Sequence, residues 1–248
     1  MLTVNAASGF GSGGGAGRTD MGDLHQTNLV FHFRADTGIT EATGVSNWVD
    51  QVSGSTELVQ STTANQPSYD ATETVGTLTG AGAMTFDGSN DSLIGASVTS
   101  ASQPYHIFIV FKPVSWTGGD EVFTGGTAGP ANFAFGARYG GSSPQYDINA
   151  GTADLCTTEF AIGTWALGIV LFNGASSSLA MNDDAATGGN PGTGDMGNFF
   201  ILGANAVNPP SGAWGNFAVA ELAIYDAAMT GSDLTDIKDY INDQYGLW

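Results

Sequence analysis

The sequence predicts an all-β protein, an antiparallel β-sandwich of the jelly-roll type with one short C-terminal helix and an extended glycine-rich N-terminal arm. Three observations support this prediction. From residue 28 onward, about eleven short apolar segments alternate with turn residues. Charged residues make up only 12% of the chain, whereas glycine contributes 37 of its 248 residues. Only one segment, near the C-terminus, repeats its apolar residues with a helical period.

The strands are predicted from apolar runs that end at turn residues. The strongest run covers residues 105–112 and stops at Pro113. The segments 165–172 and 178–182, joined through Asn173-Gly174, predict a hairpin. The remaining predicted strands are 28–33, 46–50, 84–87, 92–94, 121–123, 132–139, 145–148, 199–203 and 217–225. Because Trp48 and Trp165 lie within strand patterns, we expect both in the core.

The C-terminal helix is predicted from its start and stop signals. Thr230 followed by Asp233 is typical of a capping box, and Gly246 is well placed as the C-terminal cap. The apolar residues that share one helical face are Leu234, Ile237 and Ile241. The acidic residues on the other faces are Asp233, Asp236, Asp239 and Asp243, which we interpret as solvated.

The chain divides into an arm, residues 1–27, and a jelly-roll domain, residues 28–248. Residues 1–25 contain seven glycines and show neither a strand period nor a helical period. Such a composition is flexible in isolation and gains order by binding something else. We expect the arm to anchor the protein to neighbouring subunits, although an arm that folds back on its own domain is the alternative. The residues expected to make these contacts are Leu2, Val4, Phe10 and Arg18.

The charge balance excludes several classes of partner. Five Lys and Arg residues stand against 24 Asp and Glu residues, a net charge of −19. Nucleic acid binding requires clustered basic residues, and anionic membranes repel such a surface, so we expect neither partner. The N-terminus also lacks the basic and apolar regions of a secretory signal. The acidity is therefore expected to form a solubilising exterior.

The residues that could carry catalysis are few. Cys156 is the only cysteine, which excludes an internal disulfide framework, and its neighbours supply no base to activate it. Glycoside hydrolysis requires two carboxylates, and the strand acid Glu221 has no second acid on its own strand. The three histidines, His25, His32 and His106, have no nucleophile motif beside them. We therefore predict no enzymatic activity and assign no catalytic residue.

Two turns and three aromatic residues are candidates for ligand binding. Calcium prefers clustered loop oxygens, which are found at 87–91 (Asp87, Asn90 and Asp91) and at 182–184 (Asn182, Asp183 and Asp184). The simpler interpretations are a turn stabilised by its own acids and a soluble loop tip, so no metal or cofactor is predicted. For a sugar, the aromatic stacking platforms would be Trp116, Tyr139 and Trp214, with core packing as the alternative for each.

Five segments in order resemble the concanavalin A-like, laminin G-like jelly-roll superfamily. They are LVFHFRADTG (29–38), VSNWVDQVSGSTELVQSTTANQP (45–67), MTFDGSNDSL (84–93), the hairpin 165–189 and FAVAELAIYDAAMTGSDLTDIKDYINDQYGLW (217–248). The resemblance covers residues 28–248 and implies the β-sandwich fold. The superfamily includes lectins, glucanases and virion proteins, so the resemblance implies no single function. The sequence departs from the usual pattern at Val52-Ser53-Gly54 and at Asp243-Gln244.

The favoured interpretation is a non-enzymatic structural protein of a virion, a bacteriophage capsid decoration or tail appendage assembled in the host cytoplasm. Its partners would be other virion proteins bound through the arm and, by analogy with other appendages, two further copies in a trimer. Two alternatives stay open. One is a lectin-like module that binds a cell-surface glycan, and the other is a glycoside hydrolase.

Overall fold

The computed structural model describes residues 27–54, 56–95, 102–126, 133–139, 144–151, 157–205 and 210–248. The arm residues Leu2, Val4, Phe10 and Arg18, and also Cys156, lie outside the described residues. Within these ranges the chain forms nineteen strands, one α-helix and two short 3-10 turns. The helix α1 spans Ser232–Tyr245, and the 3-10 turns span Thr63–Asn65 and Gly174–Ser176. No helix among the described residues is both long and apolar enough to cross a membrane.

The strands, in chain order, are β1 Leu29–Arg34, β2 Ile39–Glu41, β3 Val45–Val49, β4 Glu57–Val59, β5 Ser68–Asp70, β6 Thr74–Val75, β7 Leu78–Thr79, β8 Ala83–Asp87, β9 Leu93–Gly95, β10 Tyr105–Pro113, β11 Glu121–Gly126, β12 Phe133–Tyr139, β13 Gln145–Asn149, β14 Thr157–Glu159, β15 Ala166–Phe172, β16 Ser177–Met181, β17 Thr187–Gly189, β18 Phe199–Leu202 and β19 Asn216–Tyr225.

Two antiparallel sheets form the body of the domain. Sheet A has the order β17-β16-β15-β10-β19-β8-β5, and β1 also pairs with β19. The long strand β19 is central, because β10 lies on one edge while β8 and β1 share the other. Sheet B has the order β14-β13-β12-β11-β18-β9-β4-β3-β2. Consecutive strands form the outer parts of both sheets, whereas pairs such as β10–β19 and β11–β18 join distant parts of the chain, as the jelly-roll prediction requires.

The main core lies between the inner faces of the two sheets. Strand β10 shows the alternation, since Ile107, Ile109 and Phe111 point into this core while Phe108 and Val110 point to the opposite face. Trp48, fully buried, donates from its indole nitrogen to the carbonyl oxygen of Arg34 at 2.8 Å. The predictions for Trp48 and for Trp165, which is 8% exposed, are confirmed.

Helix α1 covers the outer face of sheet A and builds a second core there. Small residues of β19 face the helix, and they allow its apolar side to approach the sheet closely. The helical residues buried in this second core are Ile237, Tyr240, Ile241 and Tyr245, and their partners on β19 include Ala218, Ala220 and Ala223. The predicted apolar face of the helix is therefore confirmed at Ile237 and Ile241, whereas Leu234 is only half-buried.

Of the two caps that the sequence predicts for helix α1, only the C-terminal one is formed. The capping box at Thr230 is wrong, because Gly231 occupies the N-cap position and no side chain caps the helix. The first turn instead has the hydroxyl of Thr235 donating to the carbonyl of Gly231 at 3.1 Å. The C-terminal cap is confirmed, since Gly246 adopts the left-handed conformation with φ 60° and donates to the carbonyl of Asn242.

The hairpin between β15 and β16 is confirmed, but its two-residue turn is wrong. Residues 173–176 connect the two strands, and the last three of them form a 3-10 turn. Seven strands of two or three residues were not predicted, and they are β2, β4, β5, β6, β7, β14 and β17. Segments this short carry no measurable alternation, so their pairing partners rather than their own pattern define them.

Candidate functional site

A polar cleft lies beside the exposed side of helix α1. It is lined by Asp183 from the loop after β16, by Thr235, Lys238 and Asp239 from α1, and by Trp248. Thr235 and Asp239 are four residues apart and therefore share one face of the helix. The buried residues of α1 turn towards sheet A, so this face is left to the solvent. The cleft thus brings an aromatic ring, two carboxylates, an ammonium and a hydroxyl together at the surface.

Trp248 is exposed and yet fixed in place. Trp248 as a whole residue is 42% exposed, which is high for a tryptophan. The side chain of Asn242 accepts hydrogen bonds from the backbone nitrogens of Leu247 at 2.9 Å and of Trp248 at 3.1 Å. The same side chain donates to the carbonyl of Trp248 at 3.0 Å. Three hydrogen bonds from one asparagine therefore hold the indole-bearing segment against the helix.

Asp183 reaches the cleft because of the turn that precedes it. Asn182 adopts a left-handed backbone with φ 52°, which asparagine tolerates better than most residues. Its side chain accepts from the backbone nitrogen of Leu167 at 2.8 Å, which fixes the turn to β15. Asp183 then forms an ion pair with Lys238 on the helix, although its own side chain is 68% exposed. The ion pair positions both groups at the mouth of the cleft.

This arrangement suits a ligand that has both an apolar face and hydroxyl groups. An indole ring offers a flat apolar surface, and carboxylates accept hydrogen bonds from hydroxyls. The ammonium of Lys238 donates hydrogen bonds. Because the side chain of Asn242 already holds the backbone of Trp248, a ligand does not have to order that backbone on binding.

The aromatic residues predicted from the sequence lie elsewhere. Trp116 is half-buried and packs against the core between the sheets. Trp214 is half-buried against a small cluster on sheet B that contains Phe199 and Ile201. Tyr139 is the last residue of β12, and its backbone pairs with Tyr146. The structure therefore does not bring these three together with the cleft, and their role in sugar binding stays a prediction.

The sequence of its strand suggests that Glu221 is isolated. In the structure, Glu221 instead lies in a buried polar cluster. Its Oε1 is 2.7 Å from Nε2 of His32, and its Oε2 accepts from the hydroxyl of Tyr245 at 2.6 Å. All three residues are at most 3% exposed. Burial and the neighbouring carboxylate raise the pKa of Tyr245 well above its ordinary value, so the phenol remains a donor. The cluster joins β1, β19 and α1 out of reach of solvent.

Arg34 belongs to the same electrostatic environment. Burial alone would lower the pKa of Arg34, but the Coulombic effects of Tyr240, Glu221 and Asp36 outweigh it and raise that pKa. Arg34 also forms an ion pair with Asp36. The other described histidine, His106, is buried, and burial lowers its pKa to about 3. Its Nδ1 accepts from the backbone nitrogen of Met229 at 3.2 Å, so it serves as a neutral acceptor.

Two further buried carboxylates, those of Glu121 and Asp147, lie on sheet B. The strand register aligns Glu121 with Arg138 and Arg138 with Asp147, so the two acids are separated by one strand. Two strand spacings place their backbones about 10 Å apart. Each acid is only 6% exposed. Both acids are therefore withdrawn from solvent at interior positions of the sheet.

The two acidic turns proposed for calcium differ in what their oxygens do. In the first turn, Asp87 accepts from the backbone nitrogens of Ser89 and Asn90, and Asp91 accepts from that of Asp87. Burial raises the pKa of Asp91 to about 6, since no cation offsets its desolvation. In the second turn, Asp183 pairs with Lys238. Among the described residues, no three His, Cys, Asp or Glu side chains are grouped so that they could hold a metal ion.

Comparisons with solved structures fit this architecture. Domain 4 of AbnA, an extracellular GH43 arabinanase from Geobacillus stearothermophilus in complex with arabinotriose, matches with a TM-score of 0.60 and 17% identity over 85% of this chain and 98% of that chain. A Trypanosoma rangeli sialidase in complex with the inhibitor DANA matches with a TM-score of 0.58 and 14% identity, covering 85% of this chain and 32% of that one. The chain has the concanavalin A-like fold.

Other concanavalin A-like domains match less closely. The receptor-binding domain of botulinum neurotoxin type G has a TM-score of 0.51 and 6% identity over 86% of this chain and 51% of that chain. The chain spans about a third of the length of the sialidases that it matches. At the level of sequence, no protein-family model and no curated protein matches it. The resemblance predicted from the sequence motifs is therefore confirmed at the level of the fold.

The cleft is not predicted by the sequence analysis, although one signal points to it. Gly246 ends the helix, so Trp248 must leave the helical axis and cannot join the apolar face that Ile237 and Ile241 define. The sequence around Asp183 indicates only a calcium ligand or a soluble loop tip. What could not be foreseen is that the loop after β16 and the helix, separated by about fifty residues, lie side by side.

Proposed function

We propose that this concanavalin A-like domain is a non-catalytic glycan-binding module whose site is the cleft beside α1. The observation that carries the proposal is Trp248, an exposed aromatic residue whose backbone, with that of Leu247, makes three hydrogen bonds with the side chain of Asn242. An exposed aromatic residue on a hydrogen-bonded backbone favours a binding role, because its ring offers a ligand a flat apolar surface beside the polar groups of the cleft.

Binding would use the groups around the ring. The apolar face of a sugar would stack on the indole of Trp248, while its hydroxyls would donate to Asp183 and Asp239. Lys238 would donate in return to a ring or hydroxyl oxygen. The cleft is open and shallow, which suits one or two sugar units at the end or side of a longer glycan.

The structural neighbours support a glycan ligand. The arabinanase domain, which this chain matches over nearly its whole length, was solved with arabinotriose bound. The neurotoxin domain binds a receptor, and the sialidases act on or bind sialic acid derivatives. These ligands belong to those proteins. The sequence identity between each of them and this chain is below 20%, so the similarity establishes only the fold.

The absence of catalysis is part of the proposal. Glu221, the strand acid considered for hydrolysis, is enclosed by His32 and Tyr245, so a substrate could not reach it. Glu121 and Asp147 are buried as well, each 6% exposed. A glycosidase requires an acid and a second carboxylate that both face a bound sugar. The acids that line the cleft, Asp183 and Asp239, are both exposed to solvent.

Isothermal titration calorimetry with the full chain and arabinotriose, followed by a panel of neutral oligosaccharides, tests the proposal. We expect dissociation constants in the millimolar range or below for at least one glycan, weakened at least tenfold by Trp248→Ala. The matched comparison is Trp214→Ala, which removes a half-buried indole packed on sheet B. Unchanged binding in this variant supports the cleft, whereas loss of binding would assign the sugar to Trp214 instead. Binding that survives Trp248→Ala, or no binding across the panel, overturns the proposal.

A further inference from the structure

The sequence contains one Asn-Gly pair, Asn173-Gly174, which lies in the turn between β15 and β16. This pair is the asparagine sequence most prone to deamidation, because glycine has no Cβ atom to hinder attack on the preceding side chain. The backbone nitrogen of the glycine attacks Cγ of the asparagine, a new C–N bond forms, and ammonia leaves with the proton. Water then opens the succinimide ring and gives aspartate or isoaspartate.

The side chain of Gln103 engages the attacking nitrogen. The backbone N–H of Gly174 donates to Oε1 of Gln103, with the nitrogen and oxygen 2.5 Å apart. Nε2 of the same amide donates to the carbonyl oxygens of Gly192 at 3.3 Å and of Gly194 at 2.9 Å. One orientation of the amide therefore satisfies all three contacts. The N–H of Gly174 must leave this acceptor before it can lose its proton to solvent and attack.

Ser177 holds the backbone on both sides of the reactive peptide bond. Its hydroxyl accepts from the backbone nitrogen of Asn173 at 2.8 Å and donates to the carbonyl oxygen of Gly174 at 2.7 Å. Ser177 is only 1% exposed, so water competes poorly for these contacts. Ring closure also requires rotation about the Cα–C bond of Asn173 away from its observed ψ of 47°. That rotation breaks the contacts that Ser177 and Gln103 make.

We infer that Asn173 is a deamidation site that Gln103 and Ser177 hold in an unreactive state. Reaction then requires only local opening of the turn and not unfolding of the whole domain, so its rate depends on how often the turn opens. Releasing two hydrogen bonds of ordinary net strength makes the native chain react about tenfold or more slowly than the unfolded chain.

Deamidation would change the contacts at this end of sheet A. Both products carry a carboxylate at position 173, and isoaspartate also adds a methylene to the backbone between β15 and β16. Gln103 links this turn to the loop 192–195, where its backbone nitrogen donates to Oδ1 of Asp195 at 3.2 Å. The hydroxyl of Tyr105 donates to the carbonyl oxygen of Gly194 in the same loop at 3.0 Å. The site therefore lies where three segments of the chain are joined.

The test incubates the full chain in mildly alkaline buffer, with and without guanidinium chloride, and follows position 173 by proteolysis and mass spectrometry. We expect the native chain to deamidate there about tenfold or more slowly than the unfolded chain. Gln103→Leu has a side chain of similar size but no acceptor, and it should accelerate the reaction of the native chain about fivefold. Gln103→Glu keeps an acceptor for Gly174 and should react more slowly than Gln103→Leu.

Gly80→Ala is the matched control for overall stability. It strains the backbone of the β6–β7 hairpin, a Cβ atom there meets nothing within 4 Å, and it leaves every contact of the Asn173 turn in place. We expect its deamidation rate in the native state to equal that of the wild type. Denaturation by guanidinium chloride measures the free energy of unfolding of each variant for comparison.

Three results would overturn the inference. Equal deamidation rates in the native and the unfolded chain would show that the fold does not protect Asn173. An unchanged rate in Gln103→Leu would show that this side chain does not hold the attacking nitrogen. If Gly80→Ala accelerates the reaction as much as Gln103→Leu does, unfolding of the whole domain controls the rate, and local protection by the turn is wrong.

Discussion

Helix α1 carries polar groups on two sides, and the two sides do different things. On the side that faces sheet A, Tyr245 meets Glu221 and His32 in a cluster that excludes water, and each oxygen of Glu221 has a partner. On the other side, Asp239 and Trp248 face solvent across an open cleft. Similar chemical groups thus serve stability where they are buried and satisfied, and binding where they are exposed and available.

The contrast follows from desolvation. A buried carboxylate costs several kcal/mol unless hydrogen bonds replace its lost water, so a position such as Glu221 tolerates few substitutions. An exposed carboxylate costs almost nothing and can exchange water for a ligand. The predictions below test this difference from its largest consequence to its smallest.

Replacing Glu221 by alanine should produce the largest loss of stability. The change leaves His32 and the hydroxyl of Tyr245 buried without their shared acceptor and opens a cavity between β19 and α1. We expect the free energy of unfolding to fall by about 3–5 kcal/mol. Urea denaturation followed by tryptophan fluorescence measures it. The matched control is Glu57→Ala, which removes an exposed acid on β4, with a change within about 0.5 kcal/mol. A loss below 1 kcal/mol for Glu221→Ala would contradict the role of the cluster.

The hairpin β6–β7 supplies a pair of glycines that separates close packing from backbone strain. Gly76 and Gly80 have similar left-handed backbones, with φ 57° and 73°. A Cβ atom on Gly76 would lie 2.0 Å from the carbonyl oxygen of Tyr245, whereas one on Gly80 meets nothing within 4 Å. We expect Gly80→Ala to cost about 1 kcal/mol from strain, and Gly76→Ala about 2–3 kcal/mol more, because the helix end must move.

Thermal or urea denaturation of both glycine variants measures this difference. Equal losses in the free energy of unfolding would show that the C-terminal end of α1 moves easily. The buried cluster around Tyr245 would then not anchor the helix. The hairpin matters for the cleft as well, because the backbone nitrogen of Thr77 donates to the carbonyl of Tyr245 at 2.6 Å, one turn before Trp248.

Asp91 tests burial of an acid without a cation beside it. Its pKa is raised to about 6 by burial, so the folded chain holds a proton that the unfolded chain has already released above pH 4. The stabilising contribution is fully present below about pH 4 and is lost as the pH rises to about 6. Asp91→Asn keeps an acceptor for the nitrogen of Asp87 and removes the ionisation.

Between pH 4 and pH 6.5, we expect the free energy of unfolding of Asp91→Asn to rise by about 1–2 kcal/mol relative to that of the wild type. Urea denaturation across that pH range measures the difference. The exposed Asp184→Asn serves as the control, and it should follow the wild-type profile. Parallel profiles for Asp91→Asn and the wild type would show that this carboxyl is as well solvated as the acids of the cleft.

The sequence predicted the sandwich because its long strands are marked by their own residues. Residues 105–112 form β10 within one position, and Trp48 is buried as its strand pattern implies. The helix and its cap at Gly246 were also predicted, whereas the capping box at Thr230 was not formed because Gly231 reverses the chain one residue later.

Contacts between distant segments could not be predicted. His32 and Glu221 are 189 residues apart, and Asp183 and Lys238 are 55 apart. Only the pairing of β1 with β19 and the docking of α1 bring them together. The virion role, the trimer and the anchoring arm stay predictions, since residues 1–26 lie outside the described residues. Deleting residues 1–27 and measuring incorporation into particles would test them.

The central claim is that the exposed side of α1, through Trp248, is where this domain binds a glycan. The most direct measurement follows the indole N–H resonances of the five tryptophans by NMR during a titration with a glycan that binds, with assignments from single Trp→Phe variants. We expect the resonance of Trp248 to shift progressively and saturably, while those of the buried Trp48 and Trp165 stay in place. A titration in which Trp214 or Trp116 shifts and Trp248 does not would contradict the account.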